Sequence, residues 1–212
     1  SYILGVANDL SNLIKDYKII VDKSTVPVGT AEKVTANIKK GAKVDFDVVS
    51  NPEFLRESTA IADFYEPEMT VIGQYDERSG DILEKLYADI DAPVVRQTIE
   101  IAEMIKYTCN VWHATKVSFA NEIGSIAKQV GVDGRTVMNI VCEDKKLNIS
   151  SYYMKPGFAF GGSCLPKDVR ALTHLGRHLD VELPLLDSLM ESNKSHINKG
   201  FKVISNFGKK KI

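Results

Sequence analysis

Three short runs of branched apolar residues, set among segments of helical spacing, constrain the fold of this chain most strongly. The runs are Lys18–Asp22, Phe46–Asn51 and Met69–Gly73, and the helical segments are Val28–Lys40 and Ser79–Ile90. Apolar runs without a period of two are typical of strands buried on both faces of a parallel sheet. The pattern therefore predicts a doubly wound α/β fold that binds ligands at the carboxyl ends of its strands.

Two polar segments follow the first two runs. Ser24–Thr30 leads into a helix, so we expect its hydroxyls and the helix amides to face a phosphate or a ribose. The segment NPEFLRE carries Glu53 and Glu57 four residues apart, so on a helical turn both carboxylates would face one cleft. Taken alone, each pattern is weak, because Ser or Thr at a helix start is more often only a helix cap and charged pairs of this kind are usually solvated.

Residues 97–130 contain no proline and almost no glycine, which predicts one long helix. Lys106, Asn110 and His113 share one side of it. They form either an ordinary solvated row or a donor-rich wall suited to hydroxyls and a developing oxyanion. An apolar stripe on the opposite side is predicted to pack, and it consists of Ile105, Trp112, Phe119, Ile123, Ile126 and Val130.

The rest of the chain is predicted to be mainly helical. Asp133 is expected to cap a helix that reaches Cys142, while Pro166 and Pro184 are expected to start two more, reaching about Leu179 and Phe207. His174 and His178 lie four residues apart on one of them. A metal site is not predicted there, because the sequence places no third ligand beside them.

Cys164 combines a nucleophile with backbone freedom and charge. Two glycines precede it, which lets a substrate approach the backbone closely. Pro166 suits the first turn of a helix, whose positive end favours a thiolate, and Lys167 adds a cation. Asp168 can hold a water beside the sulfur. The alternative is a buried structural cysteine at a glycine-rich turn.

The segment Asn148–Gly162 is predicted to be a loop. Tyr152, Tyr153 and Phe158 can cover a sugar or a base, and Lys155 can bind a phosphate. The same aromatic side chains can also close over a core.

Composition excludes several classes of protein. With 27 basic and 28 acidic residues the formal net charge is −1, which removes any global electrostatic argument for binding nucleic acid or an anionic membrane. The 3 cysteines lack the spacing of a disulfide framework or a zinc site. No apolar run approaches the roughly 18 residues of a membrane helix, and no signal segment opens the chain. A cytoplasmic protein is the expectation.

Four runs in the chain resemble those of the nucleotide-sugar 6-dehydrogenases, the UDP-glucose/GDP-mannose dehydrogenase family. They are VDKSTVPVGT (21–30), NPEFLREST (51–59), EMIKYTCNVWHATKVSFANEIG (103–124) and KPGFAFGGSCLPKDVRAL (155–172). Each short motif is weak alone, but several long matches in the family's order are specific.

The resemblance implies a reaction. Enzymes of this family oxidise the C6 alcohol of a nucleotide-linked hexose to a carboxylate and reduce two NAD in succession. By position, Cys164 is the nucleophile that forms a thiohemiacetal and then a thioester. Lys106 and Asn110 resemble the groups that stabilise oxyanions, Asp168 the carboxylate that positions water, and Glu53 a general acid/base.

The resemblance also implies the contacts of the cofactor and the substrate. Thr25 and Glu57 match positions that contact the cofactor in the family. Thr25 is also a candidate catalytic residue, through a bound water. Expected substrate contacts are Phe54, Leu55, Lys106, Asn110, His113, Tyr152, Tyr153, Lys155 and Gly161, the last four in a substrate-covering loop.

Within the family, the segments that would face substrate are more similar to the GDP-mannose branch, whereas VDKSTVPVGTAEKV is more similar to the UDP-glucose branch. We favour oxidation of GDP-mannose to GDP-mannuronate, an intermediate of polysaccharide biosynthesis, with UDP-glucose as the alternative substrate. A homodimer through the long helix is also expected.

Compared with the family, the chain lacks the G-x-G-x-x-G turn that binds pyrophosphate, and it stops where a nucleotide-binding domain would begin. We therefore expect a protein truncated at both ends and inactive alone. Its expected fold is α/β: a partial Rossmann-like parallel sheet in residues 1–96, a long central helix and an all-helical domain in 97–207, and the start of a missing domain in 208–212.

Two rival functions stay open from the sequence. One is a non-catalytic dimerisation module in which Cys164 is structural. The other is a cysteine hydrolase, for which the nearest histidine, His174, lies almost three helical turns after Cys164.

Overall fold

The computed structural model describes residues 2–56 and 58–207. Helices and strands alternate in the first half, and helices follow in the second. In chain order they are α1 Tyr2–Leu13, β1 Lys18–Asp22, α2 Thr30–Ile38, β2 Phe46–Ser50, α3 Ala60–Tyr65, β3 Thr70–Gly73, α4 Glu77–Leu86, β4 Val94–Gln97, α5 Ile99–Gln129, α6 Gly134–Glu143, α7 Cys164–His178 and α8 Pro184–Asn206. The predicted α/β fold, long helix and helical second half are confirmed.

In the described part of the chain, four strands form one sheet in the order β1-β2-β3-β4. β1 pairs with β2 in parallel and β3 with β4 in parallel, but β2 and β3 are antiparallel and meet at Ser50 and Gly73. The sheet is thus partly parallel, and the prediction of a parallel sheet fails only at the step from β2 to β3. The connection between β2 and β3 contains only α3, which buries no residue, so it does not provide the packed crossover helix that parallel neighbours need.

Apolar clusters lie on both faces of the sheet, because successive strand residues point to opposite sides. Val48 belongs to one cluster and its neighbour Val49 to another. The first cluster includes Ala7 of α1 and Ile38 of α2, and the second includes Leu83 of α4. The sheet is thus covered by helices on both sides, as in a doubly wound fold.

The chain divides into two compact units, Ser1–Trp112 and His113–Ile212. In the second unit, Ile126, Leu183 and Leu186 form the buried centre. The predicted helix starts at Asp133 and Pro184 are confirmed, and the Asp133 carboxylate accepts a hydrogen bond from the Arg135 amide at 3.1 Å. The division of function at residue 96 stays a prediction, and residues 208–212 lie outside the described residues.

The predicted apolar stripe of α5 is only partly buried. Ile126 is 5% exposed, but Trp112 and Phe119 are 41% and 37% exposed. In the first turns of α5 the buried face instead contains Ile99, Ala102, Glu103 and Lys106. Two charged side chains therefore lie on the packed face of this helix.

Candidate active site

In the first unit, Lys106 is buried beside two predicted site residues. Its side chain is 8% exposed, and its ammonium nitrogen lies 3.2 Å from Oε1 of Glu53. The same nitrogen lies 5.3 Å from the centre of the Phe54 ring, which adds a cation–π contact. Lys106 is therefore not part of a solvated row, and it is held by residues that lie about fifty positions earlier in the chain.

Glu53 lies in a segment without helical structure that follows β2. Its Oε2 atom accepts a hydrogen bond from the Leu55 amide at 2.6 Å. The prediction of a helical turn that aligns Glu53 with Glu57 is therefore wrong for Glu53, which is not in a helix. Glu57 itself lies outside the described residues.

Asn51 holds the start of this segment against the sheet, a role that the sequence pattern did not predict. Its side chain is 1% exposed. The Asn51 Nδ2 donates to the carbonyl of Val71 at 2.7 Å, and its Oδ1 accepts from Lys23 at 2.8 Å and from Tyr87 at 2.5 Å. The sequence feature that could have indicated this role is an asparagine directly before a proline at the end of a strand.

The other end of the segment is held by an ion pair. The Arg56 amide and guanidinium both donate to the carboxylate of Asp63, at 2.9 Å for the amide and 2.5 Å for Nη2. The bonds from Arg56 hold the pKa of Asp63 well below its usual range. Residues 51–56 are thereby fixed at both ends, which fixes the position of Glu53 between them.

The amino end of α2 is occupied by a carboxylate of the chain itself. Glu103 is 2% exposed and accepts hydrogen bonds from the amides of Gly29 and Ala31, at 2.6 and 2.9 Å. The amide of Thr30 bonds to the carbonyl of Pro27. The expectation that these amides face a phosphate or ribose is therefore wrong, because Glu103 already meets the positive end of the helix.

Other predicted residues of this part lie at the surface. Thr25 and Asn110 are exposed, and so is His113, the first residue of the second unit. Leu55 is 38% exposed. For Asn110 and His113 the exposure leaves both interpretations of the polar row open.

In the second unit, Cys164 is exposed and is the first residue of α7. The helix thus begins two residues earlier than predicted. Gly162 has φ +77°, a conformation that L side chains rarely adopt, and this turn leads the chain into the helix. Because the thiol is exposed, the alternative of a buried structural cysteine is wrong.

The charges near Cys164 form their own pair. The ammonium of Lys167 lies 3.5 Å from the carboxylate of Asp168, and both side chains are exposed. The Sγ atom of Cys164 lies 3.8 Å from Oγ of Ser163. Lys167 and Asp168 lie in the first turns of α7, the helix that begins at Cys164.

The predicted loop before Cys164 is confirmed as a segment without helix or strand. Tyr152, Tyr153 and Phe158 are 61%, 83% and 71% exposed, and Lys155 and Gly161 are exposed too. Its aromatic side chains therefore do not close over a core.

No group of three or more His, Cys, Asp or Glu side chains within residues 2–56 and 58–207 is arranged to hold a metal ion. Over the same residues, no helix combines the length and apolar character that crossing a bilayer requires.

Comparison with known proteins decides the family. Residues 1–91 match the NAD binding domain of the UDP-glucose/GDP-mannose dehydrogenase family, and residues 100–195 match its central domain. The chain belongs to this family. The NAD binding domain match includes Thr25 and Glu53, and the central domain match includes Lys106 and Cys164.

Members of the UDP-glucose/GDP-mannose dehydrogenase family from several organisms are similar to the chain. GDP-mannose 6-dehydrogenase of Pseudomonas putida is 59% identical over 100% of this chain and 50% of its own length. A UDP-glucose 6-dehydrogenase of Bacillus subtilis is 41% identical over 92% of this chain and 42% of its own length. The chain thus spans about half the length of the curated relatives it matches.

A solved structure of the same family supports the assignment. The 1.55 Å crystal structure of a ternary complex of GDP-mannose dehydrogenase from Pseudomonas aeruginosa has a TM-score of 0.94 and 56% identity, over 97% of this chain and 49% of that one. A UDP-glucose dehydrogenase from Pyrobaculum islandicum has a TM-score of 0.65 and 39% identity, over 91% of this chain and 44% of that one.

Proposed function

We propose that this chain carries the catalytic residues of an NAD-dependent dehydrogenase that oxidises the C6 alcohol of GDP-mannose to the carboxylate of GDP-mannuronate. The observation that carries the proposal is the similarity to GDP-mannose 6-dehydrogenase, which extends over the whole chain. It includes the exposed Cys164 and the buried Lys106, the two groups that this chemistry needs most. The lower identity to UDP-glucose 6-dehydrogenase makes UDP-glucose the second candidate substrate.

The residues that follow β1 suit one part of an NAD site. The exposed hydroxyl of Thr25 and the exposed Lys23 can bond to hydroxyl or phosphate oxygens of a dinucleotide, with Glu57 as a further contact. The amides of α2 do not fit its pyrophosphate, because Glu103 occupies them. When bound, NAD accepts the hydride in each of two oxidations, from alcohol to aldehyde and from thiohemiacetal to thioester.

Cys164 provides the covalent step. Its thiolate adds to the C6 aldehyde, which forms a sulfur–carbon bond and turns the carbonyl oxygen into an oxyanion. Lys106 and Asn110 stabilise that oxyanion through a cation and an amide donor. At the thioester stage water attacks the carbonyl carbon, the sulfur–carbon bond breaks, and the thiolate and the uronic acid are released.

The water of hydrolysis needs a base. We assign this role to Asp168, with Glu53 as the general acid/base and Thr25 as a ligand of bound water. Glu53 lies 3.2 Å from Lys106, so in the first unit a proton acceptor and the cation that stabilises an oxyanion are neighbours.

The remaining predicted residues bind the substrate. The exposed rings of Tyr152 and Tyr153 offer flat faces to the sugar or base, and Lys155 a cation to the diphosphate. The other contacts are Phe54, Leu55, His113 and the open backbone at Gly161.

The test is a chimera in which this chain replaces the matching half of the Pseudomonas putida enzyme. GDP-mannose, GDP-glucose and UDP-glucose are assayed in parallel by NAD reduction. GDP-mannose and GDP-glucose differ only at C2, so their ratio reports on recognition of the hexose. We expect GDP-mannose to give the highest kcat/KM, with two NADH formed per sugar.

Three comparisons make the assay decisive. Cys164→Ala is expected to lower turnover at least ~10³-fold, whereas Cys142→Ala leaves it unchanged. The 212-residue chain alone is expected to show little or no NAD reduction. A chimera that folds but reduces no NAD with any of the three sugars contradicts the proposal and favours a non-catalytic module. One NADH per sugar contradicts the thioester route.

We also propose that the protein is a cytoplasmic homodimer whose product enters polysaccharide biosynthesis. The long helix α5 supports the dimer, because it exposes the apolar side chains of Met104, Val117 and Phe119. Sedimentation at high protein concentration tests it, and a monomer at every concentration overturns it.

A further inference from the structure

The backbone just before Cys164 is bound by one side chain of α8. The Phe160 amide donates to Oδ1 of Asn193 at 2.9 Å, and Nδ2 of Asn193 donates to the Phe160 carbonyl at 2.8 Å. A single amide side chain thus pairs with both polar groups of one residue, as a neighbouring strand does. Residues 160 and 193 are 33 positions apart, so the contact is not a local turn.

Two more residues of α8 extend this contact. Nε2 of His196 lies 2.7 Å from the carbonyl of Gly157, the distance of a hydrogen bond that the ring nitrogen donates. A Cβ at Gly200 would lie 2.5 Å from the Phe158 ring, so the ring packs directly on the helix backbone there. Positions 193, 196 and 200 share one face of the helix, and together they hold residues 157–160.

Helix α8 is itself a fixed support. The carboxylate of Glu122 accepts hydrogen bonds from the amides of Leu185 and Leu186, at 2.7 and 3.0 Å. Leu186 is 4% exposed and packs in the core of the second unit. The side chain of Asn193 therefore projects from a helix that is anchored at its amino end.

We propose that Asn193 is a positioning residue for Cys164. It fixes the chain at Phe160, so only Gly161, Gly162 and Ser163 lie between the fixed backbone and Cys164, and this limits the orientations that the first turn of α7 can adopt. The importance of this for catalysis rests on the proposed function, whereas the constraint on the backbone does not.

Hydrogen exchange of the 212-residue chain measures the constraint. We expect Asn193→Ala to speed exchange of the Phe160 amide at least about tenfold, with α8 unchanged. Asn193→Asp keeps an acceptor for this amide but loses the donor to the carbonyl, so an intermediate rate is expected. Asn198→Ala, at an exposed position of the same helix, is the matched control and leaves the rate unchanged.

Thiol labelling in the same chain measures the effect on Cys164. With Cys142 as the internal reference, we expect Asn193→Ala to change the ratio of their alkylation rates at least about threefold, and Asn198→Ala to leave it unchanged. Unchanged exchange at Phe160, or an unchanged ratio, overturns the proposal whether or not the chimera is active.

In an active chimera, Asn193→Ala is expected to lower kcat about 10- to 100-fold, with little change in the KM for NAD and with partial rescue in Asn193→Asp. A merely structural role would lower the melting temperature without lowering kcat relative to the KM for NAD. That result would also overturn the proposal. An inactive parent chimera counts against the proposed function alone, since exchange and labelling then decide the role of Asn193.

Discussion

The carboxylate of Glu103 accepts a hydrogen bond of 2.6 Å from the amide of Gly29, across 74 residues of sequence. A second bond, from Ala31 at 2.9 Å, completes the cap of α2. Because Glu103 lies about one turn before Lys106 on α5, these bonds fix the orientation in which α5 presents Lys106 to Glu53. A residue outside the proposed chemistry thereby positions a residue within it.

Glu103→Gln is expected to destabilise the chain by about 2 kcal/mol, since a charge-assisted bond to one amide is lost and the other is weakened. Urea unfolding measures the change. Glu32→Gln is the matched control, because Glu32 is an exposed carboxylate in the first turn of α2, the helix that Glu103 caps. This substitution should cost only about 0.5 kcal/mol. Equal effects of the two substitutions would contradict the role of Glu103 as a buried cap.

The pair of Lys106 and Glu53 is unequally buried, with side chains 8% and 35% exposed. Glu53→Gln leaves the more buried charge without its partner, so it is expected to cost about 2 kcal/mol. Lys106→Met fills the same space with an apolar chain and leaves a carboxylate that reaches water, so about 1 kcal/mol or less is expected. Urea unfolding of both variants and of the double variant tests this order, and a larger cost for Lys106→Met would contradict it.

Strands and helices with strong local signals were predictable. Branched apolar runs marked β1, β2 and β3, and capping residues marked α6 and α8. The strand β4 was missed because its sequence VVRQ is four residues long and only half apolar. The antiparallel step between β2 and β3 was also missed, because apolar composition reports burial and not direction.

The candidate site was predictable by residue type and not by environment. Lys106 was expected on a polar row, yet it is buried against Glu53 and Phe54. These two residues lie outside α5, so the spacing of residues within the helix could not reveal the contact. Asn193 was not predicted at all, because its partner is a backbone 33 residues away. Contacts between distant segments leave no local pattern, so structure was needed to find them.

Cys164 and Cys142 are both exposed, but they lie at opposite ends of helices. Cys164 is the first residue of α7, whereas Cys142 is the last but one of α6. The positive end of a helix stabilises negative charge on sulfur and the negative end does not, so we expect iodoacetamide to label Cys164 about tenfold faster at pH 7. Mass spectrometry of timed reactions measures both rates in one sample. Equal rates would favour the non-catalytic module.

Asp22 ends β1 with one buried oxygen, Oδ2, for which the described residues provide no hydrogen-bond partner. Burial raises the pKa of this carboxyl, although the Ser24 amide donates to its other oxygen and opposes the shift. The raised pKa means that the folded state disfavours the charge, so stability falls as pH rises from about 3.9, the usual value, through the folded pKa.

Asp22→Asn removes the charge and keeps an acceptor for the Ser24 amide. We therefore expect a stabilisation at pH 7, which shrinks as pH falls and disappears below about pH 3.9. Urea midpoints between pH 3.5 and 7 measure it. Asp89→Asn, at an exposed site, is the control and should change stability little at any pH. A loss of stability in Asp22→Asn at pH 7 would show that the Asp22 charge has a partner that stabilises it.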